Sequence, residues 1–105
     1  MFKAQIEAGA KLLDEKFGPA WLRKQDLKKL DVGHACNCVV GQTYNTENNL
    51  EYWNMLEVLF PGENVIQQSY DHGFSVSGCD DKDLAQLTQE WKQFITDRRA
   101  QNATV

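Results

Sequence analysis

Apolar residues recur at spacings of three and four along four stretches of this sequence, and this spacing is typical of amphipathic helices. The stretches are 2–17, 46–60, 63–72 and 80–99, and glycine or proline follows each of the first three. Glycine suits the residue after a helix and proline cannot continue one, so these residues indicate helix ends. The pattern predicts a mainly α fold, a compact single-domain bundle of about four helices with short connectors.

Shorter segments between these stretches have weaker patterns. Residues 20–25 follow Pro19 and predict a short helix. Residues 38–44 fit either a helix capped by Asn37 or a strand, because valine, threonine and tyrosine favour strands. We prefer the helix, since the next stretch continues in helical spacing. We expect one domain over 1–105, with 101–105 as a flexible tail.

The stripes also predict the core. We expect a central cluster of residues that share these apolar faces: Ile6, Leu13, Phe17, Leu56, Leu59, Leu87, Trp91 and Ile95. The stretch 46–60 offers two neighbouring rows, one through Trp53 and Phe60 and one through Leu56 and Leu59. Each tryptophan lies on an apolar stripe and is expected in the core, whereas an exposed tryptophan would indicate a protein interface. Gly9 stands beside the first stripe, where glycine costs a helix about 1 kcal/mol relative to alanine.

Charge and composition exclude several classes of function. The net charge of −4 argues against binding nucleic acid through its phosphates, which requires clustered lysine and arginine. Since no apolar run approaches the ~18 residues of a membrane span, no membrane association is expected. Three cysteines cannot all pair within one chain, and no export signal is seen, so a reducing cytoplasmic location is expected.

The segment from His34 to Asn45 is the densest in chemically capable side chains. Neutral hydrogen-bonding groups continue to Trp53, and such groups give specificity to small polar ligands such as nucleotides. Connections between helices also carry binding more often than helix interiors do. The predicted binding residues are therefore the polar and aromatic side chains of this region with one histidine from the 71–79 connector: Gln42, Tyr44, Asn45, Asn48, Asn49, Trp53 and His72.

Cysteine and histidine residues allow a further interpretation as a zinc site or a thiol enzyme. The candidates are His34, His72 and the three cysteines, Cys36, Cys38 and Cys79. A C-x-C pair with one distant cysteine lacks the paired spacing of structural zinc sites. No residue at a recognisable spacing would orient a catalytic histidine. We therefore expect no metal, no cofactor and no catalytic residue.

Several short motifs, taken in order, resemble a group of small uncharacterised proteins of actinobacteria and their phages. The motifs are AGAKLLDEKFGPAW, DLKKLDV, CNCVVGQTY, EYW, HGF and DLAQLTQEWKQFITDRR. Within the third, the Cys-Val-x-Gly-Gln pattern of the group falls on Cys38, Val39, Gly41 and Gln42. The resemblance implies a phage or mobile-element context and no mechanism. We expect a noncatalytic interaction protein that binds a host or partner protein, with a ligand-binding module and a Cys/His metal or thiol enzyme as alternatives.

Overall fold

The computed structural model describes residues 2–34, 36–45, 49–62 and 64–103, apart from the side chains of residues 49, 50, 79, 102 and 103. Six helices form within these ranges: α1 (Lys3–Phe17), α2 (Ala20–Lys24), α3 (Val39–Tyr44), α4 (Asn49–Leu59), α5 (Val65–Asp71) and α6 (Asp81–Ala103). A 3₁₀ turn over Ser77–Cys79 precedes α6. The fold is 71% helix, four of the helices have seven residues or more, and the described ranges contain no strand. The predicted mainly α class is confirmed.

The predicted helix ends follow from local chemistry. Gly18 closes α1 with a left-handed φ of 67°, and its N–H donates to the Asp14 carbonyl. Pro19 then occupies the N-cap position of α2, with the φ of −69° that its ring imposes. At the start of α6, the Asp80 carboxylate accepts from the N–H of Lys82 at 2.8 Å. Acids also favour the positive end of the helix dipole there.

The helix over 38–44 is confirmed, but its predicted cap is wrong. Cys38 occupies the N-cap position instead of Asn37, and its sulfur accepts from the Gly41 N–H at 3.3 Å. The Asn37 carbonyl instead accepts from the Asp31 N–H at 3.2 Å. Cysteine is a weak acceptor and is not among the preferred N-cap residues, whereas asparagine is, so residue preferences alone point to Asn37.

The C-terminal helix extends beyond its predicted end. Residues 101–103 belong to this helix, where a flexible tail over 101–105 was expected, and residues 104 and 105 lie outside the described ranges. Alanine and glutamine are acceptable helix formers, and neither glycine nor proline stops the helix before Ala103.

Two arginines of α6 bind the N-terminal half of the molecule. The Arg98 guanidinium lies 2.9 Å from the Asp14 carboxylate, which also accepts from the indole N–H of Trp21 at 2.8 Å. Arg99 donates to the backbone carbonyls of Leu22, at 2.7 Å, and Gln25. These carbonyls end α2, so Arg99 satisfies groups that a helix C-terminus leaves without partners.

The core contains every residue of the predicted cluster except Phe17, which is half-buried at its edge. The connectors between the helices also contribute buried side chains that the apolar stripes did not predict, in particular Leu30, Val32, Phe74 and Val76. Trp21 and Trp91 meet edge to face with ring centroids 6.3 Å apart, and Phe74 stacks on Trp91 at the same separation. This aromatic column joins α2, α6 and the connector before the 3₁₀ turn.

Helix α1 and the connector after α5 approach each other at backbone distance. A Cβ atom at Gly9 would lie 2.1 Å from the carbonyl oxygen of His72. On the connector side of this contact, Gly73 has a left-handed φ of 70°, and a Cβ atom at this residue would lie 3.1 Å from the Ile6 nitrogen. The glycine that weakens α1 as an isolated helix is therefore the residue that lets the connector pack against it.

The dimensions match one folded unit. The radius of gyration is 12.8 Å, close to the ~13 Å expected for a compact chain of this length. Among the described helices, none combines the length and the apolar character needed to cross a membrane.

Candidate functional site

The side chain of Gln42, a predicted binding residue, holds two loops together. Its Oε1 accepts from the Asp26 N–H, and its Nε2 donates to the carbonyls of Asn37, at 2.9 Å, and Asp26, at 3.2 Å. Both ends of the amide are thus engaged by backbone groups. Gln42 joins the turn after α2 to the segment before α3.

The neighbouring predicted residues divide between structural and exposed positions. Tyr44 packs edge to face on Phe17 with centroids 5.0 Å apart, and burial raises the pKa of its phenol. Asn45 is exposed and ends α3 in the left-handed conformation, with φ of 56°. Asn48 lies outside the described residues. Asn49 begins α4, but its side chain is also outside the description.

His72 is held by its own helix and by aromatic neighbours. Its Nδ1 lies 2.8 Å from the Gln68 carbonyl, and its ring is 4.9 Å from that of Phe60 and 6.3 Å from that of Phe74. These contacts place His72 at the rim of the aromatic core. Within the described part of the chain, no hydrogen bond or ring contact joins it to the residues at 42–45.

A shallow polar depression of about 270 Å³ lies beside α3 and includes part of the predicted segment. Its lining combines Asn37, Gln42 and Asn45 with the partly buried thiol of Cys36. The end of α2 and the turn after it add charged groups, namely the residues Lys24, Asp26 and Lys29. Of these lining residues, Gln42 and Asn45 are predicted binding residues. The lysines were not predicted, because they lie ten or more residues before α3 and only the fold brings them to it.

A larger hollow separates α4 from the start of α5, and we call it the α4–α5 groove. Its volume is about 520 Å³, and its lining residues are Trp53, Glu57, Asn64, Val65, Ile66 and Gln67. Trp53 is 46% exposed and Ile66 is 52% exposed. The expectation that all three tryptophans are core residues is therefore wrong for Trp53. Helix α4 buries Leu56 and Leu59, and Phe60 directly after its end is buried as well, whereas Trp53, two turns before Phe60 on the same row, lies toward solvent.

Trp53 packs against the ring of its neighbour Tyr52. The ring of Tyr52 lies 6.0 Å from it at an angle of 69°. Tyr52 is partly buried, and burial together with the hydrogen-bonded thiol of Cys38 raises the pKa of its phenol. The phenol–thiol contact links α4 to the N-terminus of α3. The exposed indole is thus carried by a helix anchored to the core.

The cysteine and histidine candidates do not converge among the described residues. No group of three or more histidine, cysteine, aspartate or glutamate residues there could hold a metal ion. His34 is exposed, and its Nδ1 accepts from the Cys36 N–H at 3.3 Å. Burial raises the pKa of the Cys38 thiol to about 11, so this sulfur is protonated at neutral pH. The side chain of Cys79 lies outside the description.

The charges of the chain are strongly segregated. From residue 30 to residue 81 the sequence has no lysine or arginine, but it has eight acids: Asp31, Glu47, Glu51, Glu57, Glu63, Asp71, Asp80 and Asp81. All eleven basic residues lie outside this span, where they outnumber the seven acids. Helices α3, α4 and α5 all fall within the acidic span. The net charge of −4 conceals this, and a segment-by-segment count would have revealed it.

No family model matches the chain, and neither a curated protein nor a solved structure matches it at a significant level. The two surfaces beside α3 and between α4 and α5 are therefore the basis for inferring function.

Proposed function

We propose that this chain is a noncatalytic interaction protein that binds a host or partner protein through the α4–α5 groove. The observation that carries the proposal is the exposure of Trp53. The other two tryptophans are buried, at 1% exposure or less, whereas Trp53 leaves nearly half of its surface in water. Tryptophan is enriched among residues that dominate binding energy at protein interfaces.

The size of the exposed indole supports a binding role. If a tryptophan presents about 250 Å², then 46% exposure leaves roughly 115 Å² for a partner to cover. At about 25 cal/mol per Å² this area contributes about 3 kcal/mol on burial. Ile66, which is 52% exposed across the groove, adds to the same apolar surface.

The noncatalytic part of the proposal is supported by the state of the thiol and imidazole groups. A nucleophilic cysteine requires a lowered pKa, and the pKa of Cys38 is raised. The Nδ1 atom of His72 is already hydrogen-bonded to the Gln68 carbonyl of its own helix. The phage or mobile-element setting and the cytoplasmic location belong to the same proposal. They are supported by the sequence resemblance and by Cys36 and Cys38, which are thiols and not disulfides.

The test is capture of partners from a bacterial host lysate by immobilised protein, read by mass spectrometry. The unmodified chain is compared with Trp53→Ala, Ile66→Ser and the control Gln89→Ala, which changes an exposed α6 residue that does not line the groove. We expect the two groove variants to lose a protein that the control retains, with circular dichroism unchanged. Equal capture by all four proteins would contradict the proposal.

The polar depression beside α3 supports a second candidate, binding of a small anionic ligand such as a nucleotide. Lysine side chains next to neutral hydrogen-bonding groups suit a phosphate-bearing molecule. A ligand that binds only the folded state raises the melting temperature. A thermal-shift series with nucleotides should therefore give an increase that Lys24→Ala and Lys29→Ala abolish and Lys82→Ala preserves. No increase with any nucleotide would exclude that ligand class.

A further inference from the structure

We propose that the occupant of the α4–α5 groove is an amphipathic helix of a partner protein that carries lysine or arginine beside its apolar face. This inference rests on the protein-binding role proposed above and names the chemistry of the partner.

The charge of the occupant follows from the composition of the surrounding segment. Glu57 lines the groove next to Trp53, and among the described residues no lysine or arginine lines it. The whole span from 30 to 81 contains only acids among its Asp, Glu, Lys and Arg residues. Complementary charge steers a partner to a surface and suppresses partners of like charge. A cationic partner is therefore favoured over a neutral or acidic one.

The same charges argue against a second copy of this chain as the occupant. Two copies meeting through this face would bring Glu57 and its acidic segment against the identical segment. Neither copy offers a lysine or arginine from within residues 30–81. Like charges brought together at an interface cost binding free energy, so the symmetric contact is disfavoured.

The secondary structure of the occupant follows from the walls of the groove. The α4 wall is a helix whose interior backbone groups bond within the helix, and the α5 wall is the first turn of a helix. The described ranges contain no strand whose edge could accept another. Apart from the N–H groups of that first turn, the groove therefore offers side chains and no sheet edge. A partner segment must satisfy its own backbone groups, as an α-helix does. Helix α4 has eleven residues, about 16 Å, which three turns of a partner helix would match.

The test uses designed peptides and the intact chain. The first peptide is a helix with leucine at positions i, i+3, i+4 and i+7 and lysine on its flanks. The second replaces every lysine with glutamate, and the third keeps the composition of the first in scrambled order. Binding is measured by isothermal titration calorimetry at low ionic strength and again at higher salt. We expect the first peptide to bind at least ~10-fold more tightly than either of the others, and less tightly as salt rises.

Variants of the protein separate the groove from general attraction to an acidic chain. Trp53→Ala should weaken binding of the first peptide at least ~10-fold, as expected for a dominant interface residue. Glu57→Lys should weaken it more than Glu15→Lys does. Glu15→Lys makes the same charge change at an exposed position of α1 outside the groove. Circular dichroism and urea unfolding of each variant verify that the fold is kept.

Several results would overturn the inference. Equal losses for Glu57→Lys and Glu15→Lys would show that the peptide senses only net charge. Binding of the glutamate peptide at equal strength would refute the cationic partner, and a Trp53-dependent dimer in sedimentation equilibrium would assign the groove to a second copy. If capture from the lysate depends on Trp53 but the lysine peptide does not bind, the protein-binding role is supported and the proposal of a basic helix as the occupant is refuted. If capture from the lysate is the same with and without Trp53, the protein-binding role of the groove is itself refuted.

Discussion

Replacing Gly9 with alanine should destabilise this protein, although the same change in most helices does the opposite. In a helix interior, alanine is favoured over glycine by about 1 kcal/mol. Here the new Cβ atom would lie 2.1 Å from the His72 carbonyl oxygen, more than 1 Å inside the ~3.3 Å at which carbon and oxygen ordinarily meet. The Phe74 ring, 3.1 Å away, blocks a second direction.

The connector has little freedom to retreat from that contact. The Gly73 carbonyl accepts from the buried Trp91 indole at 2.6 Å, and the N–H groups of His72 and Phe74 donate to α5 carbonyls at 3.1 and 2.9 Å. Overpacking costs ~1–3 kcal/mol, and a clash with fixed backbone belongs at the upper end. After the propensity gain, we expect a net loss of about 2 kcal/mol. For a chain of this size that lowers the melting temperature by roughly 8 °C.

Urea unfolding followed by circular dichroism measures the free energy directly. The reference variant is Ala85→Gly, at an exposed position of α6, which reports the helix propensity difference alone and should cost about 1 kcal/mol. A Gly9→Ala protein that is more stable than the unmodified chain would refute the close approach of α1 to the connector.

Other predictions concern the core, the thiols and the loop contact. Leu87→Ala, at a fully buried site, should cost ~2–5 kcal/mol in urea unfolding, and a change below about 0.5 kcal/mol would mean that α6 faces the core differently. Burial raises the pKa of the Cys38 thiol from 9.0 to about 11, so the unfolded chain loses this proton first and stability should fall by about 2 kcal/mol as pH rises from 9 to 11. Cys38→Ser, which cannot ionise there, should reduce this fall, and an unchanged profile would exclude Cys38 as its cause. Iodoacetamide with peptide mapping should modify Cys36 well before Cys38, and equal rates would contradict the burial of Cys38. Gln42→Ala should cost ~0.5–1.5 kcal/mol in urea unfolding, because it removes the hydrogen bonds that join the two loops, and an unchanged stability would contradict this structural role of Gln42.

The fold class was predictable because the long helices bury one stripe each. The row through Leu87, Trp91 and Ile95 identifies α6 without reference to any other part of the chain. The buried connectors were not predictable in the same way. Val32 and Phe74 lie in short irregular segments, where no repeat distinguishes an inward side chain from an outward one, and only the packed helices around them determine their burial.

The candidate site was predictable only in part, and α4 shows why. Its two apolar rows are separated by about one residue, or 100° around the helix, and both contain large side chains. The sequence therefore permits either Trp53 or the Leu56–Leu59 row to face the core, and Phe60, which is buried, is compatible with both. Contact with α3, through the Tyr52 phenol and the Cys38 thiol, favours the second. Gln42 was selected for its amide, but the turn at Asp26 that occupies this amide lies sixteen residues away.

Several backbone groups in the first third of the chain find their hydrogen-bond partners only in α6, and this affects how the chain folds during synthesis on the ribosome. The Val32 N–H donates to the Thr88 hydroxyl 56 residues later, the Phe2 N–H donates to the Glu90 carboxylate 88 residues later, and the α2 carbonyls accept from Arg99. Until α6 leaves the exit tunnel, these buried or half-buried groups have no protein partner. The first 80 residues should therefore emerge as an incomplete nascent chain that binds chaperones, and the native state should form late, in one cooperative step after α6 has been translated.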